Sequence, residues 1–278
     1  MTDLHMTELP GYTGKLNAQI LERVRFLSKE LQIPDLESKF PHLHVSDGSW
    51  RKPLSLPAND AEVDLSDYID HTLLKAESTR EAILHLCDEA RQHHLHCVCV
   101  NGTRVKLCVD DLSGSGVKVG STCGFPLGAN TTAVKVAEAA AAVADGAADV
   151  DVVLNIGAAL DGDWRYILRD LRAVRAACPP PVVLKVIMES AALPAGCLID
   201  AAIVAIAAGA DFVKTSTGFH PAGGARPADV DVMLAVAGNS ARVKASGGVR
   251  DRQTALQYVR AGVARIGTSN GVEIVTRK

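Results

Sequence analysis

Between residues 68 and 270 the chain repeats one unit: a short run rich in Val and Ile, then an Ala/Leu-rich stretch at helical spacing. The runs are "YIDHTLL", "CVCVN", "VKVGSTCG", "DVDVVLN", "VVLKVIME", "DFVKTST", "RVKASGG" and "ARIGTSN". Helical stretches fall near 78–92, 130–145, 161–177, 196–209, 226–238 and 251–261. Asp251 stands as an N-cap and Gly262 as a stop. Strands alternating with helices form a parallel sheet covered by helices. Eight strands close an α/β (β/α)8 barrel. The rival, an open doubly wound sheet, is disfavoured because no strand leads through GxGxxG into a helix. At 278 residues the chain is long enough for one such barrel, which takes about 200–250.

The barrel unit is predicted to occupy 63–278. Residues 1–62 read as an N-terminal extension with one amphipathic helix, roughly 15–32, marked by Leu16, Ile20, Val24, Leu27 and Leu31. The Pro-rich segment after it reads as a strap laid over the barrel or partly disordered, serving packing or oligomer contact.

Net charge is -3, without long blocks of one sign, which argues against nucleic acid or an anionic membrane as partner. No apolar run reaches about 18 residues, as a membrane span requires. The start "MTDLHMTELPGYTGK" lacks the features of a secretion signal. Seven cysteines without a small-scaffold spacing suit a reducing, cytoplasmic setting.

Four consecutive strands carry charge where burial is expected. Asp149 and Asp151, two residues apart, share a face of the fourth strand. Lys185, Lys214 and Lys244 interrupt the fifth, sixth and seventh. A single buried lysine reads equally well as half of a structural ion pair. Three lysines and two carboxylates near the C-terminal strand ends, where barrel active sites sit, point to a site. Crowded, desolvated ammonium groups disfavour one another's charge. A lysine brought toward neutrality can condense with a carbonyl as a Schiff base, an electron sink for breaking a neighbouring carbon–carbon bond. A carboxylate relays protons, and a second lysine keeps it ionised and oriented. Such chemistry uses neither metal nor cofactor.

"ASGG" (245–248) and "GTSNG" (267–271) are Gly-rich turns that read as leading into helices. Loops after the seventh and eighth strands of barrels frequently hold a substrate phosphate.

"IDHTLLKAEST", "CVCVN", "GFPLGANTTAVKVAEA", "DVDVVLNIG", "LKVIMES", "GADFVKTSTGF", "VKASGGVR" and "RIGTSNG" together resemble the deoxyribose-phosphate aldolase family, in that family's order, over essentially all of 68–271. The resemblance implies reversible cleavage of 2-deoxy-D-ribose 5-phosphate into D-glyceraldehyde 3-phosphate and acetaldehyde. It implies Lys214 as the Schiff-base lysine, Lys244 as the neighbour that lowers its proton affinity, Asp151 as the proton-relay carboxylate, and Lys185 as the group that orients Asp151. It further implies that Asp70 holds substrate hydroxyls. Thr217, Gly218, Gly247, Gly248, Ser269 and Asn270 match positions near the substrate phosphate.

The chain departs from the family pattern in four places. Asn101-Gly102 replaces a frequent Asn-Pro, and "MESAAL" alters the loop after the fifth strand while keeping Glu189. Asn270 stands where a second serine is usual, and "GVEIVTRK" lacks the C-terminal tyrosine some members use in proton transfer. These bear on turnover and substrate preference rather than reaction type.

"HHLHCVC" (93–99) gathers His and Cys, but its histidines straddle a helix end and a strand start, a poor arrangement for tetrahedral metal ligation. His71 reads as a packed, hydrogen-bonded residue, and Cys123 as a buried thiol. Two other functions fit the pattern less well: an imine-forming aldolase acting on a related aldehyde pair, and a catalytically weak phosphate-sugar-binding barrel. A homo-oligomer, a dimer in the simplest case, is compatible with an exposed N-terminal helix.

Overall fold

A computed structural model of the chain describes residues 10–45 and 56–276. Residues 1–9 and 46–55, on which the secretion-signal reading and the middle of the Pro-rich strap fall, lie outside the described residues. Helix α1 (Pro10–Glu30) leads the chain. The repeat follows: β1 (Ile69–Leu73), α2 (Arg80–Gln92), β2 (Cys97–Val100), α3 (Val105–Asp111), β3 (Lys118–Cys123) and α4 (Thr132–Ala144). Next come β4 (Asp149–Val153), α5 (Ile156–Leu160), α6 (Trp164–Ala177), β5 (Val183–Ile187), α7 (Ala195–Ala207) and β6 (Phe212–Lys214). The chain closes with α8 (Pro227–Ala237), β7 (Arg242–Ser246), α9 (Arg252–Ala261), β8 (Arg265–Thr268) and α10 (Gly271–Thr276). All eight strands are parallel, paired in chain order, and β1 pairs with β8 to close the barrel.

The strand residues facing the helices are the Val and Ile positions: Val98, Val150, Val152, Leu184, Val186, Val213, Val243 and Ile266 are all essentially inaccessible. The alternate positions face the interior, and there the apolar pattern gives way to charge. Helix ends follow ordinary local chemistry. Asp251 caps α9 by accepting from the Thr254 backbone N–H at 2.8 Å, and Gly262 ends it with φ +112, a left-handed turn that favours glycine.

Helix α1 starts and stops earlier than its apolar spacing predicts. Pro10 is tolerated in a first turn, where its missing N–H costs nothing. Beyond Glu30 the chain turns left-handed at Gln32 (φ +55), and Pro34 disfavours helix at Ile33. Leu16, Ile20, Val24 and Leu27 are buried in the same core as the barrel helices, and α1 packs on α7 and α8. Burying each such aliphatic side chain is worth roughly 1.5–3 kcal/mol. The partly exposed ion pair of Arg23 with Asp200, 2.6–2.8 Å, adds at most about 1 kcal/mol. Packing therefore holds α1 in place. Helix α3, only seven residues long, falls in a stretch whose periodicity is too short to announce it.

Candidate active site

Strand register brings the charged side chains face to face. Asp151 of β4 is paired with Lys185 of β5, and Lys214 of β6 with Lys244 of β7. Lys214 Nζ donates to Asp151 Oδ2 at 2.8 Å, and Lys244 Nζ donates to the same oxygen at 2.8 Å. Lys185 Nζ donates to Asp151 Oδ1 at 3.0 Å and to Asp149 Oδ2, with Asp70 Oδ2 at 3.5 Å. Lys244 also donates to Asp70 Oδ2. None of these six residues is more than 3% exposed. Gly267 of β8 makes room: a Cβ there would come within 3.0 Å of Lys244 Cε and 2.9 Å of Ser246 Cβ.

Three lysines thus share a buried interior with three carboxylates. Burial pushes Lys185 and Lys244 toward neutrality, but the carboxylates outweigh it: Asp151, Asp70 and Asp149 raise Lys185, while Asp151 and Asp70 raise Lys244. Crowding alone would lower both, and the carboxylates reverse it. Lys244 remains a cation beside Lys214. On the acidic side burial pushes Asp151 up, yet Lys185, Lys214 and Lys244 hold it well below the usual carboxylate range. Asp70, opposed by burial but pulled by Lys244 and Lys185, is pushed down to about 2.

Above this layer a cleft of about 380 Å³ opens at the C-terminal ends of the strands. Lys214 lines its floor. Thr217, Gly218, Gly247, Gly248, Ser269 and Asn270, all matched to phosphate-proximal positions, line its walls. Gly218, Gly247 and Gly248 have φ of +82, +82 and +84, where a side chain would be strained. Backbone packs directly on backbone between these loops, since a Cβ on Gly224 would sit 2.0 Å from the Gly247 carbonyl oxygen.

Asp70 lines no part of this cleft. Expected to hold substrate hydroxyls, it lies in the layer beneath with its Oδ2 engaged by Lys244. The turn 245–248 does not run straight into a helix either: α9 begins only at Arg252, and the Asp251 carboxylate occupies its N-terminus. Asn270 offers less than its composition suggests. Its backbone N–H donates to Thr268 Oγ1 at 2.9 Å and its side-chain Nδ2 to Glu273 at 3.2 Å.

Glu189, noted in sequence only as retained, acquires a place. Buried and left-handed (φ +52), it accepts from both the backbone N–H and the hydroxyl of Thr217 and so fixes the loop after β6. Phe219 on the cleft wall stacks edge-on against Phe125, ring centroids 5.2 Å apart. Lys135, fully buried on α4, bonds to Asp170 at 2.8 Å and to the Val153 carbonyl at 3.0 Å outside the barrel. No sequence signal singled out either feature. His71 faces outward and bonds to Glu89 at 2.8 Å, and Cys97, Cys99 and Cys123 are buried. Among the described residues no group of His, Cys, Asp or Glu has an arrangement able to hold a metal ion. Nor is any described helix long and apolar enough to cross a membrane.

Residues 65–275 match the profile of the DeoC/LacD family aldolase. A deoxyribose-phosphate aldolase from Kocuria rhizophila is 50% identical over 206 residues, covering 74% of this chain and 93% of that protein. One from Thermococcus gammatolerans is 50% identical over 216 residues, 77% and 96% of the two chains. The tetrameric deoxyribose phosphate aldolase structure from Aeropyrum pernix superposes with a TM-score of 0.72 at 29% identity, covering 87% of this chain and 96% of that one.

Proposed function

The chain belongs to the DeoC/LacD aldolase family, and on that premise we propose that it reversibly cleaves 2-deoxy-D-ribose 5-phosphate to D-glyceraldehyde 3-phosphate and acetaldehyde, with Lys214 as the Schiff-base nucleophile. The carrying observation is that Lys214 alone of the three barrel lysines reaches the cleft, while its Nζ rests on Asp151 at 2.8 Å.

The chemistry follows from those positions. The Lys214 amine, as its free base, adds to the C1 carbonyl of the open-chain sugar. The carbinolamine takes up one proton, returned on final hydrolysis, and loses water to leave a protonated imine. Its positive nitrogen accepts the electron pair of the C2–C3 bond as the C3 hydroxyl gives up its proton. Glyceraldehyde 3-phosphate departs and an enamine remains. Protonation at C2 and hydrolysis then release acetaldehyde and the free lysine. Asp151, held ionised by its three lysines, is the base that passes these protons, through water where it does not reach directly. Lys244 stays charged beside Lys214 and shares Asp151 Oδ2 with it. Lys185 fixes the other Asp151 oxygen. Thr217, Gly218, Gly247, Gly248, Ser269 and Asn270 form the end of the cleft suited to the phosphate, and Asp70 serves as counter-ion to Lys244 rather than as a hydroxyl ligand.

We read the enzyme as cytoplasmic, since all seven cysteines are unpaired thiols, and as a homo-oligomer whose smallest form is a dimer. Sedimentation would decide the assembly. The activity is tested by incubation with 2-deoxy-D-ribose 5-phosphate. Acetaldehyde and glyceraldehyde 3-phosphate released in equal amounts support it; no release of either contradicts it.

A further inference from the structure

The roles above leave one buried carboxylate without work. Asp149 lies on β4 one inward position below Asp151, is 3% exposed, and accepts a hydrogen bond from Lys185. It does not line the cleft and therefore touches no substrate. Its surroundings are nonetheless specific. Lys185 donates to it from β5 and is shared with Asp70 of β1, while the Asp149 charge reaches the Cys97 thiol and His96 on the β2 side and Arg242 of β7. On the β3 side there is only Gly120, where a Cβ would sit 3.4 Å from Asp149 Cβ.

We propose that Asp149 is a positioning residue for the aldol reaction: by drawing Lys185 downward it keeps Asp151 from being saturated by its lysine neighbours and leaves it basic enough to pass protons. The inference rests on the reading of Lys214 as nucleophile and Asp151 as relay. An ammonium has three N–H donors, and Lys185 divides its own among Asp149, Asp151 and the more distant Asp70. Asp151 already accepts from Lys214 and Lys244 through one oxygen. If Asp149 lost its charge, Lys185 would have only Asp151 and the more distant Asp70, and the layer would hold two carboxylates instead of three. Both consequences have the same sign. Asp151 becomes a weaker base, and every neighbouring lysine surrenders its proton more readily.

The test compares wild type with Asp149→Asn, which keeps the shape and removes the charge. The expected result is a kcat lower by about tenfold, KM within about threefold, and an acidic limb of the kcat profile displaced about one pH unit downward. Asp149→Glu restores the limb and most of kcat. In the Lys185→Met background, where no ammonium is left to position, adding Asp149→Asn changes kcat by less than about twofold. This doubly neutral variant decides the matter even where the single variant fails to fold. A slower Asp149→Asn enzyme with an unmoved pH profile, or a further tenfold loss in the Lys185→Met background, overturns the proposal and leaves Asp149 a packing residue. Borohydride trapping of acetaldehyde on wild-type Lys214 separates the two readings: if trapping succeeds while these effects are absent, only the role of Asp149 falls.

Discussion

Lys214 and Lys244 donate to one and the same oxygen, Asp151 Oδ2, each at 2.8 Å. The two lysines are register partners on adjacent strands, so this meeting is imposed by the barrel and not by side-chain chance. What distinguishes them is the second neighbour. Lys244 has Asp70 beneath it, whereas Lys214 has the open cleft above it. One is a held cation and the other a reachable amine.

Replacement of each lysine should separate these roles. Lys214→Leu is expected to fold and to lose all measurable turnover. Lys244→Leu should retain a residual rate but leave Asp70 to the more distant Lys185 at 3.5 Å and Arg265 at 3.9 Å, at a cost of about 3 kcal/mol. Urea unfolding and steady-state rates on both variants check this. A turnover-competent Lys214→Leu enzyme contradicts it.

Asp70→Asn isolates the counter-ion. Because the folded carboxyl is pushed down to about 2, below an unfolded value near 4, it contributes stability above about pH 4 that is lost as pH falls through 2. The variant should therefore be less stable than wild type at pH 7 by about 3 kcal/mol. The gap should narrow between pH 4 and pH 2. Denaturant midpoints across that range measure it, and a gap independent of pH would remove Asp70 from the ion-pair layer.

Gly267→Ala probes the packing around Lys244. Its methyl group would meet Ser246 and the Lys244 stem, so one of them must move, at about 1–3 kcal/mol of overpacking. A fall in kcat is expected from the displaced Lys244 stem, with a smaller rise in KM because Gly267 and Ser246 also line the cleft. A change in KM alone would place the disturbance elsewhere.

Much of this arrangement was legible in the residues, for a definite reason. Strand alternation has a period of two, so Asp149 and Asp151 had to share a face, and lysines at one point in three neighbouring strands had to converge if the sheet closed. Depth along the barrel was not legible, because alternation tells a face and not a level. The family resemblance assigns Asp70 to substrate hydroxyls, and only the folded structure shows it engaged by Lys244 and absent from the cleft lining. For a related reason the sequence does not reveal how firmly Lys185 and Lys244 hold their protons: Asp70 approaches both from β1, a meeting that only the closed barrel creates. Glu189 could not be assigned at all, since its left-handed backbone and its grip on Thr217 are products of the folded loop.

The phosphate end of the cleft makes its own prediction. With glycine-rich loops after β6, β7 and β8 facing that space, 2-deoxy-D-ribose lacking phosphate should react with a kcat/KM lower by at least about a hundredfold, most of it in KM. Gly247→Ala should narrow this ratio, because φ there is +82 and an added Cβ would come 2.9 Å from Gly224 Cα. Rates on the two sugars, compared for both enzymes, are the check. Equal efficiency in wild type would leave the loops without a ligand.

The most direct measurement is reduction with borohydride in the presence of acetaldehyde, followed by mass-spectrometric localisation of the adduct. One two-carbon ethyl group fixed on Lys214, with turnover lost in proportion and the yield unchanged by chelator, is the predicted result. An adduct confined to Lys244 or Lys185, with Lys214 unmodified, would contradict the assignment of the reacting amine.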